Sequence, residues 1–104
     1  MKFVVLAVHT AETCPTSNSK TRGLFLKLAP EIPHLAKKAG VKLLAGPLVN
    51  WEHTITTVLE ADKTEAVNEF LSASGLGRWN TVRILPSQTL DEGLEEITRQ
   101  SPIF

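Results

Sequence analysis

The hexapeptide FVVLAV, residues Phe3 to Val8, is apolar at every position, and this run decides the fold. It is short, rich in β-formers and bounded by Lys2 and His9, so it predicts a β-strand. Strands with one solvated face alternate apolar and polar residues, whereas this one does not alternate. We therefore expect a central strand whose two faces are both covered.

Strand and helix patterns follow this run in the order βαββαβ. They predict a helix over 16–40 broken near its two prolines, strands over 41–49 and 54–61, a helix over 62–75, a strand over 81–86, and a short acidic helix over 89–100. The Gly46-Pro47 pair indicates a bulge or a sheet edge in the second strand. The order predicts a single ferredoxin-like α+β domain over 1–104, in which two helices cover one face of a four-stranded antiparallel sheet.

The second face of this sheet needs a partner, because both main helices lie on the first. A second copy of the same sheet is the economical solution, so the sequence predicts a homodimer or a larger homo-oligomer. The last strand, TVRILP, is expected to be central as well, with Arg83 pointing to one of its faces. There Arg83 would either pair with Glu60 or bind an anionic substrate.

Composition excludes several classes of function. Hydrophobic residues make up 42% and charged residues 21%, as in ordinary globular proteins, and eleven basic residues balance eleven acidic ones. A chain without net charge has no global field for nucleic acid or anionic lipid. The opening apolar run is too short for a signal peptide or a membrane span, and a single cysteine forms no internal disulfide. The expected location is the cytoplasm, with no nucleic-acid or membrane partner.

One of three histidines and the only cysteine lie close together after the first strand, in HTAETCP. His9 and Cys14 admit several interpretations. In the simplest, His9 caps the strand and Cys14 packs as a small apolar residue. Alternatively, Cys14 is a reactive thiol ahead of a helix, or the Cys-Pro pair contacts a haem.

A metal site is a further interpretation of the same stretch. His9, Cys14 and a third ligand, His53, would bind a transition metal such as zinc, iron or copper and leave one coordination position open. If the first and third strands run parallel, His9 and His53 lie about 20 Å apart, at roughly 3.3 Å per residue. Only a dimer contact would then bring them together.

The chain resembles the dimeric α+β barrel superfamily, which includes muconolactone isomerase and several small monooxygenases. The resemblance extends over nearly the whole chain and rests on HTAETCP after strand one, AGPLVN in strand two and EHT entering strand three. Within the superfamily it points to small stand-alone members of unassigned biochemistry. It implies a dimer and a ligand pocket, without specifying a reaction.

Two classes of function follow from these observations. The first is a small-molecule enzyme of the isomerase, lyase or oxygenase type, with His9 as general base or metal ligand and Arg83 as an anion clamp. The second is a binding or assembly module without turnover, which oligomerises through its sheet, the Trp51 hairpin and the terminal SPIF tail. Trp79 and Asn80, before the last strand, are expected to serve the core and a turn.

Overall fold

A single four-stranded antiparallel sheet organises the chain in the computed structural model, which describes residues 1–104. Its strands are β1 (Lys2–Val8), β2 (Lys42–Leu48), β3 (Thr54–Glu60) and β4 (Thr81–Ser87). They lie in the order β2-β3-β1-β4, and every neighbouring pair is antiparallel. The predicted α+β class and antiparallel sheet are confirmed, and the arrangement is compatible with a ferredoxin-like fold.

The position of two strands differs from expectation. β1 is central, as its uniform apolar character predicted, but β4 is an edge strand, so the prediction that it is central was wrong. β1 and β3 are direct antiparallel neighbours, so the expectation that they run parallel was also wrong. Both differences have one cause. β3 lies between β2 and β1 and pairs directly with β1, so β4 pairs with the remaining side of β1, at the edge of the sheet.

Five helices accompany the sheet: α1 (Ser19–Leu28), α2 (Ile32–Ala39), α3 (Thr64–Ala73), α4 (Leu76–Trp79) and α5 (Leu90–Arg99). α1 and α2 are separated by a 3₁₀ turn, Ala29–Glu31, where the predicted proline break occurs. α2 ends at Gly40 in the left-handed conformation, with φ 80°. None of the five has the length and apolar character that a membrane crossing requires.

The core occupies the side of the sheet that faces α2 and α3. Burial alternates along β1 and β3, so that every second side chain points toward the helices. Phe3, Leu59, Val67 and Phe70 are completely buried there. Each such side chain contributes about 1.5 to 3 kcal/mol of hydrophobic stabilisation, so this layer holds the sheet and helices together.

The opposite side of the sheet, which we call the outer face, is not covered by the chain itself. Alternation and strand register place on it the apolar side chains of β1, β3, β4 and β2: Val4, Leu6, Val8, Val58, Leu85, Ala45 and Leu48. All of these are half-buried or exposed, in contrast to the core side of the same strands. β1 is central as predicted, but its second face is not covered within the single chain, so the expectation that a partner covers it stays a prediction.

The predicted irregularity in β2 is present at Gly46-Pro47. The pairing between β2 and β3 changes register on both sides of Ala45, and Gly46 has φ 84°. A Cβ atom at Gly46 would lie 2.5 Å from the carbonyl oxygen of Thr56. Only glycine fits this close approach, and the bulge leads the chain into the hairpin that carries His53.

Candidate metal centre

His9 and His53 are neighbours at one end of the sheet. In the antiparallel β1–β3 pair Val8 lies opposite Thr54. His9, which follows Val8, therefore lies beside His53, which precedes Thr54. The backbone N–H of His9 donates to the carbonyl of His53 at 3.0 Å, and the two imidazole centroids are 5.3 Å apart in an edge-on arrangement. The expected separation of about 20 Å was wrong because it assumed parallel strands.

The hairpin before β3 holds His53 in an unusual backbone conformation. His53 has φ 56°, in the left-handed region that few residues other than glycine occupy. The Asn50 side-chain oxygen accepts the backbone N–H of Glu52 at 2.8 Å and that of Thr54 at 3.4 Å, which closes the turn around His53. Strained backbone of this kind is concentrated at functional sites.

The loop between β1 and α1 presents Cys14 and is tied to the helix that follows. The carbonyl of Cys14 accepts the backbone N–H of Asn18 at 2.8 Å, and Asn18 caps α1 through its side-chain oxygen. The Arg22 guanidinium donates to the carbonyls of Pro15 and Thr16, at 2.8 and 2.7 Å. The loop is thereby fixed to α1, so Cys14 is held in place without secondary structure of its own.

The thiol of Cys14 is buried and has a hydrogen-bond partner in Thr16. Its Sγ lies 3.1 Å from the hydroxyl oxygen of Thr16. Hydrogen bonding from the Thr16 side chain, and secondly from its backbone, lowers the pKa of the Cys14 thiol. This favours the thiolate, which is the form that binds metal ions and acts as a nucleophile.

Three metal-ligating side chains converge at this point. The ligand atoms of His9, Cys14 and His53 all lie within 4.8 Å of one another. Two ligands on one tetrahedral zinc ion are about 3.3 to 3.6 Å apart, from Zn–N and Zn–S bond lengths of about 2.0 and 2.3 Å. The three donors therefore need to move inward by only about 1 Å to share an ion, within the range of small side-chain rotations.

Hydrogen bonding leaves the Nε2 atom of His9 free to bind a ligand. The amide of Asn80 donates to the carbonyl of Leu76 at 2.9 Å, which turns its side-chain oxygen toward His9 Nδ1, also at 2.9 Å. Because that oxygen only accepts, Nδ1 carries the proton, and in the neutral ring Nε2 keeps its lone pair. Nε2 is buried and has no hydrogen-bond partner, so its lone pair is available to a metal ion.

A cavity of about 410 Å³ adjoins the three donors. Its walls contain no carboxylate, lysine or arginine; the lining residues are His9, Cys14, Pro15, Thr16, Phe25, Val49, Asn50, Trp51, His53, Thr54, Ile55 and Trp79. The Trp79 ring lies 5.0 Å from that of His9 and 5.4 Å from that of Phe25, centroid to centroid. The volume and the apolar, aromatic lining suit a small, largely apolar molecule.

Arg83 lies apart from this cluster. It is exposed on the outer face opposite Leu6, does not line the cavity and forms no ion pair with Glu60. Trp51, in the hairpin, reaches the cavity rim but is 97% exposed. The site thus combines His9, Cys14 and His53 and does not include Arg83.

The sequence assigns Trp79 and Asn80 to the core and a turn, and it does not predict that both contact His9. Their contacts with His9 arise because α4 ends beside the start of β4, whose Thr81 pairs with Val8. The only sequence signal for this was an amide residue directly before the last strand. Comparisons with models of known families, with characterised proteins and with solved structures gave no match to this chain.

Proposed function

We propose that this protein binds a transition-metal ion through His9, Cys14 and His53. The observation that supports this best is the convergence of one thiol and two imidazoles within 4.8 Å. In particular, His9 already has the protonation pattern of a metal ligand, with Nδ1–H donated to a fixed acceptor and Nε2 free. Second-shell partners of this kind orient nearly all metal-binding histidines.

The donor set favours zinc, copper or iron over magnesium, calcium and manganese. Thiolate and imidazole are ligands that the first three metals accept, whereas the other three prefer oxygen. Three protein donors leave a coordination position open, as in catalytic zinc sites. Of the two roles considered for His9, metal ligand and general base, this arrangement favours the metal ligand.

The cavity beside the donors indicates what the open position would receive. Its walls carry no lysine, arginine or carboxylate, so the charge that a substrate would meet there comes from the metal ion and its thiolate ligand. We therefore infer that the ligand is a small, largely apolar molecule with one donor atom for the metal. A reaction of the isomerase, lyase or oxygenase type is compatible with such a site, and a binding protein without turnover is the alternative.

Metal titration tests the proposal. The protein is reduced, stripped with a chelator and titrated with cobalt(II), which reports tetrahedral thiolate coordination by its visible absorption and its sulfur-to-metal charge transfer. We expect saturation at one ion per chain, followed by displacement by zinc; a copper(II) titration, which gives its own thiolate band, compares the two metals. Absence of stoichiometric binding by all three ions would contradict the proposal.

Asn80 provides a more specific prediction. Asn80→Ala removes the acceptor that fixes the His9 tautomer, so we expect metal affinity to fall by about 10- to 100-fold, as for other second-shell losses. Asn80→Asp keeps an acceptor for Nδ1–H and should retain affinity within about 10-fold of the wild type. The affinity is measured by competition between cobalt and a chelating dye.

The control for this pair is Asn68→Ala, which removes an exposed asparagine on α3. It should bind metal like the wild type. If the alanine and aspartate variants of Asn80 lost affinity equally, the tautomer explanation would be wrong, and Asn80 would have only a role in the local fold.

We also infer that the chain is a ferredoxin-like domain of the dimeric α+β barrel type. The two βαβ units and the order β2-β3-β1-β4 support the fold, and the uncovered apolar outer face supports the dimer. Packing two outer faces together would place Arg83 of both chains between the sheets. There it would face the partner subunit and not the metal cavity.

A further inference from the structure

Helix α5 is well formed but has no buried residue. Thr89 and Glu92 form a capping box, in which Thr89 Oγ1 accepts the N–H of Glu92 and the Glu92 carboxylate accepts the N–H of Thr89, each at 3.1 Å. The bond from the Thr89 backbone, and secondly the one from its side chain, lowers the pKa of Glu92. The helix therefore has its own terminal stabilisation, although no core holds it.

One side of α5 is an apolar stripe exposed to water. Leu90, Leu94 and Ile97 recur at helical spacing and are 77%, 51% and 67% exposed, and Ile103 and Phe104 beyond the helix are almost completely exposed. The sequence leaves open whether Ile103 and Phe104 dock on their own chain, dock on a neighbouring subunit or stay disordered. In the structure neither packs against its own chain.

α5 begins beside the outer face of the sheet. Lys2, whose side chain is on the outer side of β1, lies 3.8 Å from the carboxylate of Glu92 in the first turn of α5. No residue of the helix is buried against the sheet, and the molecule measures 53 × 30 × 18 Å. Its radius of gyration is 15.9 Å, against about 13 Å for a compact chain of this length. The excess length carries apolar surface that the chain itself does not cover.

Surface area indicates that a dimer needs α5. The outer face, four strands of seven residues, measures about 19 by 23 Å, or roughly 440 Å². Stable dimers bury at least about 600 Å² on each partner. The α5 stripe, about 15 Å long and 10 Å wide, adds roughly 150 Å² and brings the total to that threshold.

The charged side chains of α5 lie on the side of the helix away from the apolar stripe. α5 carries four acidic residues and one basic residue, since Asp91, Glu92, Glu95 and Glu96 accompany Arg99. At 100° per residue these charged side chains lie away from Leu90, Leu94 and Ile97, so a second copy can cover the stripe without burying a charge.

We propose that the apolar stripe of α5 and residues 101–104 pack against a second copy of this chain, extending the outer-face interface. The inference rests on the dimer proposed above and adds the segment that completes it. Each subunit donates its helix to the other, so the contact is reciprocal and self-complementary. The second copy is the occupant because the outer face by itself is smaller than the area that a stable dimer buries, and the stripe supplies the difference.

The test is the dimer dissociation constant of stripe variants, measured by sedimentation velocity over a range of concentrations. The double variant Leu94→Gln, Ile97→Gln keeps helix propensity and alters no core residue. We expect its dimer dissociation constant to rise at least about 100-fold, because each dimer loses four buried apolar side chains. Deleting residues 101–104 should give a smaller increase. Arg99→Gln, on the opposite side of α5, should leave the constant within about threefold of the wild type.

The outcomes separate this inference from the dimer itself. Weakened association in the stripe variants, with unchanged metal stoichiometry and circular dichroism, supports the proposal. If the stripe variants leave the dimer intact while a charge on the outer face dissociates it, the proposed role of α5 is overturned and the dimer through the outer face is supported. A wild-type monomer would overturn both, and a larger assembly that the stripe variants reduce to a dimer would show that α5 binds a third copy instead.

Discussion

Replacing Cys14 by serine should abolish the sulfur-to-metal charge-transfer band and weaken cobalt and zinc binding by at least about 100-fold. Serine matches cysteine in size and keeps a polar atom beside Thr16, so the loop keeps its hydrogen bonds. Its hydroxyl is not ionised near neutral pH, and it is a poor ligand for zinc or copper. The measurement is the cobalt titration described for the wild type.

The chain offers a matched control for the histidine ligands. His53→Gln should also lose affinity, whereas His34→Gln, at an exposed position on α2, should not. If Cys14→Ser and His53→Gln bound metal as well as His34→Gln did, the metal centre would be refuted. Metal binding should in addition protect Cys14 from alkylation, since a coordinated thiolate is no longer a free nucleophile.

Replacing Val4 by lysine should convert a dimer into a monomer. Val4 lies on the central strand, paired with Val58 on one side and Leu85 on the other, in the middle of the outer face. In a single chain this face is open to water and tolerates the charge, whereas a twofold interface would bury two ammonium groups without partners. We expect the wild type to sediment at twice the chain mass of 11.4 kDa and the Val4→Lys variant at the mass of a single chain.

Two substitutions distinguish a broken interface from a damaged fold. Val4→Thr is close in size and retains strand propensity, so it should weaken the dimer only moderately. Leu26→Lys places the same charge at an exposed position on α1, on the helical side of the sheet, and should leave the dimer intact. Dimers that persist in Val4→Lys would place the interface elsewhere, and a wild-type chain at the monomer mass would exclude the dimer.

Much of the fold follows from local sequence patterns. The bounds of β1, β3 and α5 agree with the predicted elements within one or two residues, because apolar periodicity, capping residues and glycine act over short distances. The helical spacing of Ala66, Val67, Phe70 and Leu71 predicts one apolar face of α3, and all four side chains are buried. These patterns carry no information about which strands pair. The two wrong predictions, that β1 and β3 run parallel and that β4 is central, both concern strand pairing.

The site depends on that missing information. His9 and Cys14 are five residues apart, so their proximity at one rim was predictable from the sequence. His53 joins them only because β3 lies antiparallel to β1, which sets Thr54 opposite Val8. Asn80 joins them because β4 pairs with the other side of β1. Long-range strand pairing cannot be deduced from local periodicity, since every register of the same strands gives the same pattern along the chain.

The sequence by itself determined that β1 is a central strand, that the chain forms an α+β sheet domain, and that the first loop carries a histidine and a thiol. These depend on side-chain chemistry and on contacts between near neighbours. Only the tertiary structure decided that His53 and Asn80 complete the cluster, that Arg83 lies on the other side of the sheet, and that α5 has no core of its own. Each of these depends on where distant segments meet, and the close packing of strands and helices in three dimensions determines that.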